Sequence, residues 1–296
     1  MLDGVVRRRM PLPESGVEIA LLDWGGDGPL AVLHHANGFC AALWDPVARA
    51  LRDEYRVIAM DARGHGDSSK PKGDHHYRWA AFGRDLAAVA TALAAEQGAA
   101  RVTLGLGHSF GGTSMLMAAA ERRDLFERLV LVDPVIRPRV VDSERAVRTR
   151  EMSEGARTRR RVFESRDVAR EGWRRKPLFA RWQPESFDLY LEEGLGDRED
   201  GQVELKCPPE VEAAVFANGR HFDLWSVAAR VTTPTRLLWA AQGDFPRFLF
   251  ANMEEHMSPH AELMEVDAGH LMPMERPECV VDAVRSFAPG RQPSLG

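Results

Sequence analysis

Gly107-His108-Ser109-Phe110-Gly111 sets a hydroxyl between two glycines at the G-x-S-x-G spacing of a nucleophile elbow. A serine hydroxyl is a weak nucleophile until a neighbouring base takes its proton. A sharp strand-to-helix turn would present it at the apex, and so strained a backbone needs residues without bulk two positions before and two after. Downstream lie an acid and a base. His270, in Ala268-Gly269-His270-Leu271, is expected as general base, and Asp244 as the carboxylate that orients its imidazole. Asp133, in Val132-Asp133-Pro134, also ends an apolar run and is the alternative acid; its other reading is a turn-initiating Asp-Pro. Upstream, His34-His35-Ala36-Asn37-Gly38-Phe39 is placed to supply a backbone N–H that joins the N–H of Phe110 around a developing oxyanion.

Such residues need a scaffold that brings distant loops to one edge. Short apolar runs at 30–33, 57–60, 102–106, 129–132, 237–239 and 263–266 alternate with helical patterns, as in βαβ units around a parallel sheet. The runs are nearly continuous in apolar character, which suits strands covered on both faces. Val5 to Met10 and Val17 to Asp23 flank a Pro-Glu-Ser-Gly turn and suggest an antiparallel hairpin at the sheet edge. Phe82, Leu86, Val89 and Leu93 mark one helical face, and Val280, Val281, Val284 and Phe287 another. The rhythm stops between about 135 and 230. That stretch is rich in arginine, tryptophan and helix formers, and from Arg137 to Lys176 there are fourteen Lys/Arg against seven Asp/Glu. The expected organisation is an α/β core formed by 1–134 and 231–296, interrupted by a helical insertion at 135–230. Ser109, Asp244 and His270 then all fall at the carboxyl ends of strands, where open parallel sheets place their sites.

Composition sets wide bounds. The 296 residues, 44% hydrophobic and 28% charged, carry a formal net charge of −5, which argues against a nucleic-acid partner. Three widely spaced cysteines, Cys40, Cys207 and Cys279, form no metal or disulfide pattern and fit thiols in a reducing compartment. With no secretory signal pattern and no apolar run of membrane-spanning length, the expectation is a cytoplasmic protein.

The elbow, the loop after the first parallel strand and the Ser, Asp, His order together resemble the α/β-hydrolase superfamily, over essentially the whole chain outside the insertion. The resemblance implies a mostly parallel central sheet flanked by helices, with the insertion as a helical cap over the site. It assigns the oxyanion position of the His34 to Phe39 loop to Asn37, with Ala36 where the family commonly has glycine. In the acid-bearing loop Ala241 stands where glycine is usual, and Asp244 keeps the aspartate. Some members of the family take the acid from the region of Asp133 instead.

Other residues have plainer readings. His34 and His35 lack further ligands at metal spacing and are read as structural. His65 and Asp67 are read as stabilising their own loop, and His108 as pointing away from the catalytic residues. The insertion's aromatic residues are read as packing, and its arginines as a solvated face or an anion receptor. The expected reaction is hydrolysis of a small-molecule ester, lactone or thioester through an acyl-enzyme, for which no cofactor or metal is needed. The rivals are carbon–carbon bond hydrolysis or cofactor-free peracid formation on the same residues, and a ligand-binding receptor with slow or no turnover.

Overall fold

Continuous apolar runs become the inner strands of one eight-stranded sheet. The first half of the chain forms β1 (Val6–Leu12), β2 (Val17–Gly25), β3 (Leu30–His34), α1 (Asp45–Leu51), β4 (Arg56–Met60), α2 (Trp79–Glu96), β5 (Val102–His108), α3 (Phe110–Glu121) and β6 (Phe126–Val132). After the insertion come β10 (Thr235–Ala240), α9 (Arg247–Met257), β11 (Ala261–Val266), α10 (Met272–Glu275) and α11 (Pro277–Arg285). The computed structural model describes residues 2–139, 143–219 and 222–287.

The strand order is β1-β2-β4-β3-β5-β6-β10-β11. β1 and β2 form the expected antiparallel hairpin, β2 runs antiparallel to β4, and the remaining neighbours are parallel. The reason for the unbroken apolar runs is visible in β3: Val32 faces the core beneath α2 and α3, while Ala31 and Leu33 face the core beneath α1 and α11. Phe82, Leu86, Val89 and Leu93 of α2 are all buried as expected, and so are Val280, Val281 and Val284 of α11, whereas Phe287 falls past the end of that helix and is half-buried. The chain passes from β3 outward to β4 and returns to β5 on β3's other side. Strand order therefore reverses between β3 and β5, and the crevice at their carboxyl ends is where such sheets hold ligands.

Between β6 and β10 the chain leaves this sheet. It forms α4 (Ser143–Arg157), β7 (Val162–Phe163), α5 (Arg166–Arg174), α6 (Pro184–Glu193), β8 (Leu195–Asp197), β9 (Val203–Leu205), α7 (Pro209–Asn218) and α8 (Leu224–Ala228). The insertion is thus not wholly helical, because β7, β9 and β8 make a small antiparallel sheet. Strands of two or three residues leave no apolar run long enough to read in advance. The aromatic residues do pack: Trp173 stacks on Tyr190 at 4.9 Å, and Phe179, Trp182 and Phe39 close around the same tyrosine. All five are buried.

One buried ion pair braces the loop after β4. Arg63 meets Asp85 of α2 through Nε at 2.6 Å and Nη2 at 2.5 Å, and Ser15 donates to the same carboxylate at 2.8 Å. Both charged side chains are almost wholly out of water, at 5% and 1% exposure, so removing one strands the other. Asp85→Ala should therefore cost about 3–5 kcal/mol. Urea unfolding would show this as a lower midpoint at unchanged slope, and a midpoint within error of the parent would refute it.

Candidate active site

β5 ends in a backbone that few residues tolerate. Ser109 has φ 54° and ψ −118° and caps α3, so its side chain stands at the apex between strand and helix. The turn is held by the Ser109 N–H, which donates to Val132 O at 2.9 Å, and by the Thr113 N–H, which donates to Ser109 O at 3.1 Å. A β-carbon at Gly111 would collide with the carbonyl oxygens of His34 and His35, and one at Gly107 with the backbone of Gly111 and Gly112. Both glycines are required by close approach, as their spacing implies.

The loop after β11 brings His270 to this serine, with Nε2 2.9 Å from Ser109 Oγ. Its Nδ1 lies 2.6 Å from Asp133 Oδ2. A carboxylate only accepts, so Nδ1 carries the ring proton and the neutral imidazole leaves Nε2 free to receive one from the hydroxyl. Asp133 is fully buried and directly follows β6. Its N–H donates to Leu238 O at 2.9 Å, and its Oδ1 accepts the Ala240 N–H at 3.0 Å. With φ 43° it adopts a left-handed conformation that aspartate bears better than most side chains.

The expected acid is therefore corrected. Asp244 lies in the exposed turn after β10, where Gly243 N–H closes back onto Ala240 O at 2.9 Å. The Phe245 ring of the same turn meets the His270 imidazole edge-on at 5.1 Å. The carboxylate against Nδ1 belongs to Asp133.

Facing Ser109 is the loop after β3. Asn37 is buried; its Nδ2 donates to Glu212 O at 3.1 Å, and its Oδ1 lies 3.1 Å from His65 Nε2. Phe110 is the first residue of α3, so its N–H has no acceptor within the helix and sits at the positive end of the helix dipole. His35 ties the loop to its neighbour, accepting the Ala62 N–H on Nε2 at 3.0 Å while Nδ1 donates to Ala36 O at 2.7 Å. His108 does not turn away from the site: its Nε2 donates to His270 O at 2.8 Å, and the two rings lie 5.3 Å apart. Glu275 supports the same loop by accepting the Gly269 N–H at 2.9 Å. Sequence reasoning missed this role of Glu275. It also missed the insertion residues Tyr190 and Glu212, whose distance along the chain hides their contact with the Asn37 loop, and Arg159, which binds both. The Asp67 N–H closes its loop by donating to Asp61 Oδ2 at 2.8 Å, while the Asp67 carboxylate reaches out of the loop to Lys206 Nζ at 2.9 Å. Among the described residues no group of three or more His, Cys, Asp or Glu is arranged to hold a metal ion.

Residues 31–283 match the alpha/beta hydrolase family. The chain belongs to that family. Among curated relatives, an uncharacterized protein of Mycobacterium tuberculosis is 36% identical over 107 residues, 36% of this chain and 29% of that protein. The match thus spans under a third of that relative's length. Lipase LipV of the same organism is 25% identical over 274 residues, 91% of this chain and 97% of the lipase. The crystal structure of E-2-(acetamidomethylene)succinate hydrolase superposes with TM-score 0.81 over 96% of this chain and 98% of that one, at 22% identity, a likeness of fold. Among the described residues no helix of this hydrolase-family chain is long and apolar enough to cross a membrane.

Four buried histidines surround the site in neutral form. Burial lowers His34 to about 3 and His35 to about 4, and holds His65 and His108 well below the ordinary imidazole value. An unfolded chain protonates these rings near 6.5, so below that pH it binds protons that the folded chain refuses. Their contribution to stability is intact above about 6.5 and is lost as pH falls toward about 4, at up to roughly 1.4 kcal/mol per pH unit for each ring. The urea midpoint should drop steeply between about pH 7 and about pH 5, and His35→Gln should flatten that dependence. A midpoint constant across this range would contradict the neutral assignment.

Proposed function

We propose that this alpha/beta hydrolase is a serine hydrolase that cleaves a carboxylic ester, lactone or thioester through an acyl-enzyme. The observation that carries the reading is the continuous run of contacts from Asp133 through His270 to Ser109, at 2.6 and 2.9 Å. His270 Nε2 takes the Ser109 proton as Oγ attacks the carbonyl carbon, and the N–H groups of Asn37 and Phe110 receive the oxyanion. The protonated imidazole passes its proton to the departing alcohol or thiol. Water, deprotonated by the same nitrogen, then attacks the acyl-serine, and collapse of the second tetrahedral species frees the acid and restores the hydroxyl. Asp133 holds the tautomer with the proton on Nδ1 and stabilises the imidazolium in each half-reaction. The insertion serves as a cap that shapes the acyl pocket. The named lipase relative supports an ester substrate, since it matches along nearly its whole length.

Activated esters of graded acyl length, together with a fluorophosphonate that labels activated serines, test this directly. The parent protein should turn over the esters and gain one phosphonyl group on Ser109, while Ser109→Ala should do neither and unfold at the parent's midpoint. Turnover retained in Ser109→Ala, or a folded parent that neither reacts nor labels, would overturn the reading. Asp133→Asn should lower kcat by up to about 10⁴-fold because the imidazole would rest in the wrong tautomer. Asp244→Asn should stay within about tenfold of the parent. The opposite ranking would return the acid to the loop after β10.

A further inference from the structure

Three residues from separate parts of the insertion form one linked group beside the loop that carries Asn37. Arg159, just after α4, pairs through Nη1 with the carboxylate of Glu212 in α7 and donates through Nη2 to the Tyr190 hydroxyl of α6 at 3.3 Å. That hydroxyl in turn donates to Gly38 O at 3.1 Å. Gly38 has φ 82°, and a β-carbon there would meet the Glu212 carboxylate at 2.8 Å, so the loop lies directly against this ion pair. The main chain of Glu212 closes the circuit by accepting the Asn37 Nδ2 at 3.1 Å. Tyr190 and Glu212 are buried, at 2% and 9% exposure, which leaves little water to replace a lost contact. Burial pushes the Tyr190 phenol up to about 12, so it stays protonated and remains a donor.

We infer that Tyr190, with Arg159 and Glu212 behind it, is a positioning residue that aims the Asn37 N–H at the oxyanion, so that seating of the insertion and competence of the oxyanion hole are one event. This rests on the proposed role of the Asn37 and Phe110 N–H groups. The geometry favours positioning over general support. The Tyr190 ring is already fixed by Trp173, Phe39, Phe179 and Trp182, so the hydroxyl is not needed to hold the ring in place. Its hydrogen bond holds the Gly38–Phe39 peptide, whose N–H donates to Ala36 O at 3.2 Å, and Ala36 O is the carbonyl of the peptide that carries the Asn37 N–H. With its carbonyl held by the Phe39 N–H and by His35 Nδ1 at 2.7 Å, the Ala36–Asn37 peptide presents its donor without reorganisation when charge develops, which is the source of oxyanion stabilisation.

Tyr190→Phe keeps the ring and deletes the hydroxyl; Arg159→Met tests the group behind it. Losing an oxyanion donor outright costs about 10²–10³-fold in kcat, and misaiming one should cost less, about 10-fold to 10²-fold. Both variants should show that fall in kcat with KM within about twofold, because the ground-state carbonyl needs the donor far less than the oxyanion does. The rate of Ser109 phosphonylation should fall in parallel, since it builds the same negative oxygen. The acid limb of kcat/KM should keep its position, as the contacts of His270 are untouched, and Tyr190→Phe should still unfold cooperatively at the parent's urea slope, its midpoint lowered only by the unmet Gly38 carbonyl. Parent-like kcat in Tyr190→Phe would overturn the inference while leaving the serine hydrolase reading intact. So would a loss expressed in KM alone, or a shifted acid limb. A parent protein that neither hydrolyses esters nor labels at Ser109 would remove the underlying reading, and this inference with it.

Discussion

The carboxylate of Asp133 is withdrawn from water with both oxygens committed, one to the Ala240 N–H at 3.0 Å and the other to His270 Nδ1 at 2.6 Å. A buried anion is costly unless it is fully hydrogen-bonded, so this group constrains everything near it. The Ala240 N–H fixes it to the end of β10, and the strand it follows, β6, lies beside β5, which leads into Ser109. The imidazole is then held between two points on neighbouring strands, and the loop after β11 must bring it there. His108 and Glu275 hold that loop, one through the His270 carbonyl and one through the Gly269 N–H.

Among the described residues the non-glycine positions with positive φ are Ser109 and Asp133. Each directly follows a central strand and makes a turn that a side chain normally resists. Strain of this kind costs about 1–3 kcal/mol and persists only where the surroundings over-determine it. The surroundings here are specific: Ser109 N–H bonds to Val132 O, and Asp133 N–H bonds to Leu238 O, each a ladder contact carried one residue past the strand. The two turns raise both side chains above the same edge of the sheet, where the insertion meets the loop after β3 through Glu212 and Tyr190.

Much of this was legible in the chain itself, for physical reasons. The apolar runs read as strands because both faces of the sheet are covered, and the elbow read as an elbow because only glycine fits at 107 and 111. Ser109 and His270 followed from their place after those strands. The acid was harder. Asp133 and Asp244 each follow a strand, and nothing in residue type says which turn points inward; the left-handed backbone at Asp133 decides it, and Pro134 hides it behind an ordinary turn signal. The small sheet of the insertion was invisible because its strands are too short to pattern. The Arg159, Tyr190 and Glu212 group was invisible because no periodicity links it to Asn37.

The whole site turns on the Nδ1 proton of His270, held against the Asp133 carboxylate at 2.6 Å. Proton NMR of the folded protein observes such a proton directly, as a strongly downfield resonance from a ring N–H held against a carboxylate. This resonance should be present in the parent and in Asp244→Asn, at nearly the same position, and should be lost or moved far upfield in Asp133→Asn. A resonance that survives in Asp133→Asn and vanishes in Asp244→Asn would contradict this pairing.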